Sequence, residues 1–149
     1  MLSKKAQYSL YALVHLAKNL KDGPVLISKI AETEQIPKKF IETILLELKT
    51  IGIVNSRKGK GGGYYLIKKP EKITMVEIIR KFDGAIALLP CVSDMYYEKC
   101  KNCIDEQSCG IRNVMREVRD ETVKILTDNT LADILKRENM LYTTKHKKS

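Results

Sequence analysis

The chain is predicted to be a mainly α protein with a small β-hairpin wing, that is, a winged helix-turn-helix, followed by a long C-terminal helix. Three observations predict this. Short amphipathic stretches separated by turn residues fill the region before residue 53. A glycine-rich run, Gly59-Lys60-Gly61-Gly62-Gly63, then lies between two short strand-like runs. Beyond residue 110, apolar residues return at three- and four-residue spacing. The hairpin signal is what makes a plain three-helix bundle the poorer expectation.

The first helix is expected from about Ser3, a good N-cap, to about Lys21, where Asp22-Gly23-Pro24 stops it. Leu26-Ile27 leads into a short second helix capped by Ser28, with Ile30 and Ala31 facing inward. After a tight connection at 33–36, Pro37 suits the first position of a third helix whose apolar face is Phe40, Ile41, Ile44, Leu45 and Leu48. Gly52 fits the left-handed residue that closes it. Ile53-Val54 and Tyr64-Tyr65-Leu66-Ile67 form two strands joined by a loop over 55–63. Thr74 and Glu77 make a capping box for a helix that ends near Asp83-Gly84. Residues 85–109 show no periodicity and hold every cysteine. Ile111, Val114, Met115, Val118, Ile125 and Leu126 mark a long helix; Asn129 or Thr130 caps a short last one, Leu131 to about Lys136, and the polar tail is expected to be disordered.

With 44% hydrophobic and 30% charged residues the chain can bury a core and is not of disordered type. The formal charge of +9 attracts polyanions. Its distribution is more telling than its size. Residues 38–69 carry eight Lys or Arg against Glu42 and Glu47, a net +6 in about a fifth of the chain. The opening segment is interrupted by Gln7, Ser9, His15 and Lys18 and lacks a small-residue cleavage site, so it does not read as a signal peptide. No stretch is apolar enough to span a bilayer. The expected location is cytoplasmic, with no membrane partner and with thiols kept reduced.

These features point to double-stranded DNA. A helix that starts Pro37-Lys38-Lys39 presents free backbone N–H groups, a positive dipole end and two lysines, and recognition helices contact base edges with their first residues. Lys38, Lys39, Glu42 and Thr43 are the candidate contacts there, Glu42 as an acceptor for cytosine N4. In the wing, Arg57, Lys58 and Lys60 alternate with glycines that let backbone approach phosphates or a narrow minor groove. Lys4, at the start of the first helix, joins the candidate set. The wing lacks the Gly-Lys-Ser/Thr ending of a nucleotide-binding loop.

Cys91, Cys100, Cys103 and Cys109 follow C-x8-C-x2-C-x5-C. Thiolates this close in a reducing compartment suit an iron–sulfur cluster, 2Fe-2S or 4Fe-4S. Zinc is the main competitor, although it usually pairs two C-x2-C knuckles and only one exists here. Redox-active or unligated thiols are the third possibility. A thiol oxidoreductase built on Cys100-Lys101-Asn102-Cys103 lacks the strand-to-helix setting of such motifs. Nothing else suggests an enzyme. His15, in mid-helix and far from the cysteines, reads as structural.

Lys5-Ala6-Gln7-Tyr8-Ser9-Leu10-Tyr11-Ala12-Leu13, the Gly59-Lys60-Gly61-Gly62-Gly63-Tyr64 wing, the cysteine block and Thr130-Leu131-Ala132-Asp133-Ile134 together resemble the Rrf-two family of winged-helix regulators. That family includes IscR-like and NsrR-like iron–sulfur regulators and CymR-type relatives. The resemblance implies a transcription regulator, typically a repressor, that senses iron–sulfur, redox or nitric oxide status. It also implies a homodimer whose long helix crosses its partner over a palindromic operator. It further selects Cys91, Cys103 and Cys109 as cluster ligands, with Cys100 extra. Where some members place a histidine, this chain has Arg112, which cannot ligate iron, so Cys100 is the candidate for the fourth position. The implied organisation is a DNA-binding unit at 1–84, a sensor loop at 85–110, a dimerisation helix and short terminal helix at 111–138, and a tail at 139–149.

Overall fold

A computed structural model describes residues 1–147. Six α-helices and one two-stranded antiparallel hairpin follow in the order α1 (Lys4–Lys18), α2 (Ile27–Thr33), α3 (Lys38–Thr50), β1 (Val54–Arg57), β2 (Gly63–Leu66), α4 (Met75–Asp83), α5 (Gly110–Asp128) and α6 (Leu131–Lys147). Short 3-10 turns at Pro70–Lys72 and Pro90–Val92 complete the path. The architecture is a winged helix-turn-helix. Among the described residues no helix is long and apolar enough to cross a membrane.

Local chemistry sets most boundaries. The Ser3 hydroxyl accepts from the Ala6 N–H and starts α1; the Thr74 hydroxyl does the same for Glu77 and starts α4. Gly52, at φ +74°, turns the chain out of α3 into β1. Two starts differ from expectation, α2 by two residues and α3 by one. The helix α2 begins at Ile27, and its cap residue Leu26 supplies no side-chain acceptor, so Ser28 is not the cap. Pro37 is the cap residue of α3 and not its first helical residue.

The hairpin is longer, and its turn tighter, than the sequence pattern suggests. The strands pair from Val54↔Leu66 to Arg57↔Gly63, which leaves only residues 58–62 for the turn. Tyr64 is buried and exchanges backbone hydrogen bonds of 2.8 Å with Val25, joining the wing to the segment ahead of α2. This contact dictates a glycine beside it. At Gly63 (φ +138°) a Cβ would sit 2.4 Å from the Val25 carbonyl oxygen.

The core packs Leu13 and Leu16 of α1, Ile41, Ile44, Leu45 and Leu48 of α3, Ile53, Val54, Ile73 and Ile78 against one another. Burying one such side chain contributes about 1.5–3 kcal/mol. Leu131, the first residue of α6, is fully buried in the same cluster, with Ile134 and Leu135 packed onto it. Phe40 departs from expectation: it is 45% exposed at the margin of α3, where Tyr8 meets it edge-on, ring centroids 5.6 Å apart.

The helix α6 also departs from expectation. It continues through Lys147, so residues 139–147 are helical and not a disordered tail; 148–149 lie outside the described residues. Thr130 and Asp133 form a reciprocal cap at its start, the Asp133 carboxylate accepting from the Thr130 N–H (3.0 Å) while the Asp133 N–H donates to the Thr130 hydroxyl (3.3 Å). An ion pair between Lys18 and Glu138 (2.6 Å) holds α6 along α1.

Candidate nucleic-acid interface and cysteine segment

The helix α3 is amphipathic about a single axis. Ile41, Ile44, Leu45 and Leu48 point into the core, which turns Lys39, Thr43, Leu46 and Thr50 outward. Lys38 and Glu42 flank this row on the wing side. Together with Ser56 and Arg57 they line a groove of about 320 Å³ between α3 and the hairpin. The Lys49 ammonium donates to the Ser56 hydroxyl at 2.8 Å and ties the end of α3 to the wing. The Thr43 hydroxyl donates to the Lys39 carbonyl of its own helix at 3.1 Å.

Lys4, Lys38, Lys39, Arg57, Lys58 and Lys60 are all exposed, and among the described residues none has a carboxylate partner. Several other cations are paired within the fold. Glu47 of α3 is held by Lys5 of α1 and, at 3.8 Å, by Lys81 of α4. Lys68 pairs with Glu77 at 2.7 Å. These pairs tie elements of the fold together, whereas the six cations at the start of α1, on α3 and on the wing have no internal counter-charge among the described residues. His15 is buried, with Nδ1 2.8 Å from Glu34, which joins α1 to the connection ahead of α3 and suits the structural role expected of it.

The cysteines are spread along an irregular segment. Cys91 is buried in the turn at Pro90–Val92, Cys100 is exposed, and Cys103 and Cys109 are half-buried. Cys109 is the cap residue of α5, its sulfur accepting from the Arg112 N–H at 3.5 Å. Burial, then the neighbouring Cys109 and Cys100, pushes the Cys103 thiol above its ordinary value. Soft thiol donors fit an iron–sulfur cluster or zinc in kind. In arrangement they are not gathered: among the described residues no three His, Cys, Asp or Glu side chains are placed to hold a metal ion. The C-x2-C pair at Cys100 and Cys103 sits in turn structure with no strand before it.

Residues whose anchoring role the sequence pattern does not reveal hold this segment. Arg112 Nε donates to the Cys91 carbonyl (3.2 Å) and Arg119 Nη1 to the Val92 carbonyl (2.6 Å), both from α5. Arg80 of α4 pairs with Asp94 at 2.7 Å. Tyr97 donates its hydroxyl to Glu106 at 2.6 Å, and that carboxylate raises the Tyr97 phenol above its usual range. A basic residue soon after the last cysteine is the only sequence trace of these anchors.

The helix α5 contains no buried residue in the single chain. Ile111, Val114, Val118 and Ile125 are exposed along one face, and Val118 also borders an apolar groove of about 730 Å³ between α5, the start of α1 and the end of α4.

Comparison with known proteins agrees with this architecture. The family model described as Rrf2, iron-dependent transcriptional regulator, matches residues 2–137. A Rhodobacter capsulatus protein described as an rrf2-like HTH-type transcriptional regulator is 40% identical, over 93% of this chain and 95% of its own. Among solved structures, T. potens IscR superposes with a TM-score of 0.73 at 27% identity, covering 93% of this chain and 88% of its own. CymR, the global cysteine regulator of B. subtilis, gives a TM-score of 0.75 at 28% identity, covering 90% and 95% respectively. The matched proteins are transcription regulators, not thiol oxidoreductases.

Proposed function

The chain belongs to the Rrf2 family of transcriptional regulators, and from that premise we propose that it acts as a homodimeric repressor on a palindromic double-stranded DNA operator and reads iron–sulfur, redox or nitric oxide status through Cys91, Cys100, Cys103 and Cys109. The observation that carries the DNA half of this proposal is the set of six unpaired cations shared by the start of α1, the start of α3 and the wing. Lys38, Lys39, Glu42 and Thr43 meet base edges or the adjacent phosphates; Lys4, Arg57, Lys58 and Lys60 supply phosphate contacts that add affinity without sequence information.

For the signal, the donor chemistry of four thiols and a family described as iron-dependent support a cysteine-ligated iron–sulfur cluster. A bound cluster supplies a charged group that reacts with oxidants and nitric oxide. Cys91, Cys103 and Cys109 would hold it, with Cys100 in the fourth position. Arg112 and Arg119 keep the Cys91 and Val92 carbonyls against α5, so a change in the segment is transmitted to that helix. The exposed row on α5 supports pairing with the same helix of a second copy, which would fix the spacing of the two α3 helices. The proposed response is a population shift between two such spacings.

The test is operator affinity at fixed salt, measured anaerobically on protein whose visible spectrum, iron, sulfide and zinc are known. Brown protein with matched iron and sulfide, and an affinity that changes when the cluster is removed, is the expected result. Equal affinity with and without the cluster overturns the sensing mechanism and leaves DNA binding standing. Colourless protein holding zinc, or four free thiols after reconstitution, moves the sensor chemistry to zinc or thiol redox.

A further inference from the structure

On the outer side of α3, towards α1, lies a hollow of about 470 Å³ lined by Lys5, Pro37, Lys39, Phe40 and Thr43. Pro37 and Phe40 supply its apolar lining, and Lys39 its one cation without a carboxylate partner among the described residues, since Lys5 is paired with Glu47. Phe40, 45% exposed, stands beside Lys38 and Lys39 in the first turn of α3. Tyr8 steadies the Phe40 ring from the inner side by an edge contact, so the outer face stays open and fixed in orientation. The Thr43 hydroxyl is turned back to the Lys39 carbonyl, which leaves its methyl group as the part offered to the hollow.

We propose that this hollow receives the 5-methyl group of thymine in the major groove, which makes Phe40 a specificity-determining residue of the DNA contact. In the major groove thymine differs from cytosine by an apolar methyl as well as by its hydrogen-bonding pattern, and small apolar surfaces on recognition helices read that methyl. Lys39, which has no carboxylate partner, matches a phosphate that flanks a base entering the hollow, whereas Lys5 is held by Glu47. This inference deepens the proposed DNA contact and rests on it.

The experiment uses the full chain and duplexes it selects from a random-sequence pool, resynthesised with deoxyuridine in place of each thymidine in turn. Uracil keeps every hydrogen-bonding group of thymine and loses only the methyl. At one thymine position per half-site the wild type should lose about fourfold in affinity, the value of one buried methyl group. Phe40→Ala should bind thymine and uracil duplexes equally at that position, and Phe40→Leu, which keeps an apolar floor, should retain the preference. Leu46→Ala removes exposed apolar surface from the same helix outside the hollow and should leave the preference intact. If no uracil substitution weakens the wild type, or if Leu46→Ala and not Phe40→Ala abolishes the preference, the hollow is not the reader. Phe40→Ala must keep the helical circular dichroism and low-salt DNA binding of the wild type; if it does not, Phe40→Gln, which sets a polar side chain of good helix propensity in place of the ring, takes its place with the same expected loss of preference. Failure of the wild type to bind any duplex at low salt is the separate outcome that overturns the DNA contact itself.

Discussion

The Arg112 guanidinium donates from Nε to the carbonyl oxygen of Cys91 at 3.2 Å, joining two residues 21 positions apart in the chain. One end of the cysteine segment is thereby fastened to the helix that follows its other end. A hydrogen bond from a charged group contributes about 1.5–3 kcal/mol, and this one is only partly buried, so the lower end applies. Arg112→Ala should raise amide exchange around Cys91 about tenfold, which corresponds to about 1.4 kcal/mol. Arg112→Lys should recover little, because an ammonium cannot copy the geometry of Nε. Exchange that is the same in all three proteins would show that the segment is held by other contacts.

The wing cations predict a change in salt dependence. Replacing Arg57, Lys58 and Lys60 together by Ala should weaken DNA binding and reduce the slope of log affinity against log salt by about 0.9 for each phosphate no longer neutralised. Titrations across a range of salt concentrations measure it. A weaker affinity with the wild-type slope would assign the effect to misfolding and not to the phosphates.

The proposed pairing through α5 would make its exposed row vulnerable to charge. Val114→Glu combined with Val118→Glu should shift the protein to monomer in sedimentation experiments. Removing two apolar anchors, at about 1.5 kcal/mol or more each, weakens association at least about a hundredfold. Helical content should persist, because α5 contributes no buried residue to the single chain. A double variant that sediments as the wild type does would place the dimer contact elsewhere.

The cap of α6 carries a pH dependence with a definite sign. The Thr130 hydroxyl, then the Thr130 backbone N–H, hold the Asp133 carboxyl below its ordinary value of 3.8. A group whose folded pKa is depressed stabilises the fold above its unfolded value and loses that contribution as pH falls through the folded one. The difference in melting temperature between wild type and Asp133→Asn should therefore be full well above the ordinary value of 3.8 and shrink as the pH falls below it. A gap that stays constant across this range would mean the carboxylate charge is irrelevant to the cap. Thr130→Ala, which removes the hydroxyl, should cost about 1 kcal/mol at neutral pH.

Much of this molecule can be read from spacing and composition, and the exceptions have physical reasons. The order of helices, the wing and the cap at Thr74 follow from residues whose preferences are strong and local. Phe40 is harder: it lies four residues before Ile44, yet near the edge of the apolar arc, where spacing alone does not separate buried from half-exposed. The wing glycines suggest room for DNA, but Gly63 is required by the Val25 carbonyl, an internal contact no linear pattern reveals. The polar residues after Lys136 read as a tail because polarity and disorder share a composition. Lys, Glu, Leu and Met are nevertheless good helix formers, and Glu138 has a partner on α1. The cysteine spacing identifies the donor type and not its arrangement. Intervals of eight, two and five residues across irregular chain do not constrain where the thiols point.

Leu131 has a consequence for how the molecule comes into being. Its side chain is fully buried among residues of α1, α3 and the segment before α4, and the backbone N–H of Leu131 donates to Ile73 at 2.8 Å. A ribosome producing this chain therefore delivers the first four helices and the wing long before the residue that completes their core. Until Leu131, Ile134 and Leu135 emerge, the nascent chain exposes an apolar seat on α1. A fragment cut at residue 84 keeps that seat open permanently, so excising the front half should give an aggregation-prone protein and not a miniature regulator. Premature stop codons anywhere before the start of α6 are then expected to abolish function completely, even those that leave every proposed DNA contact in place.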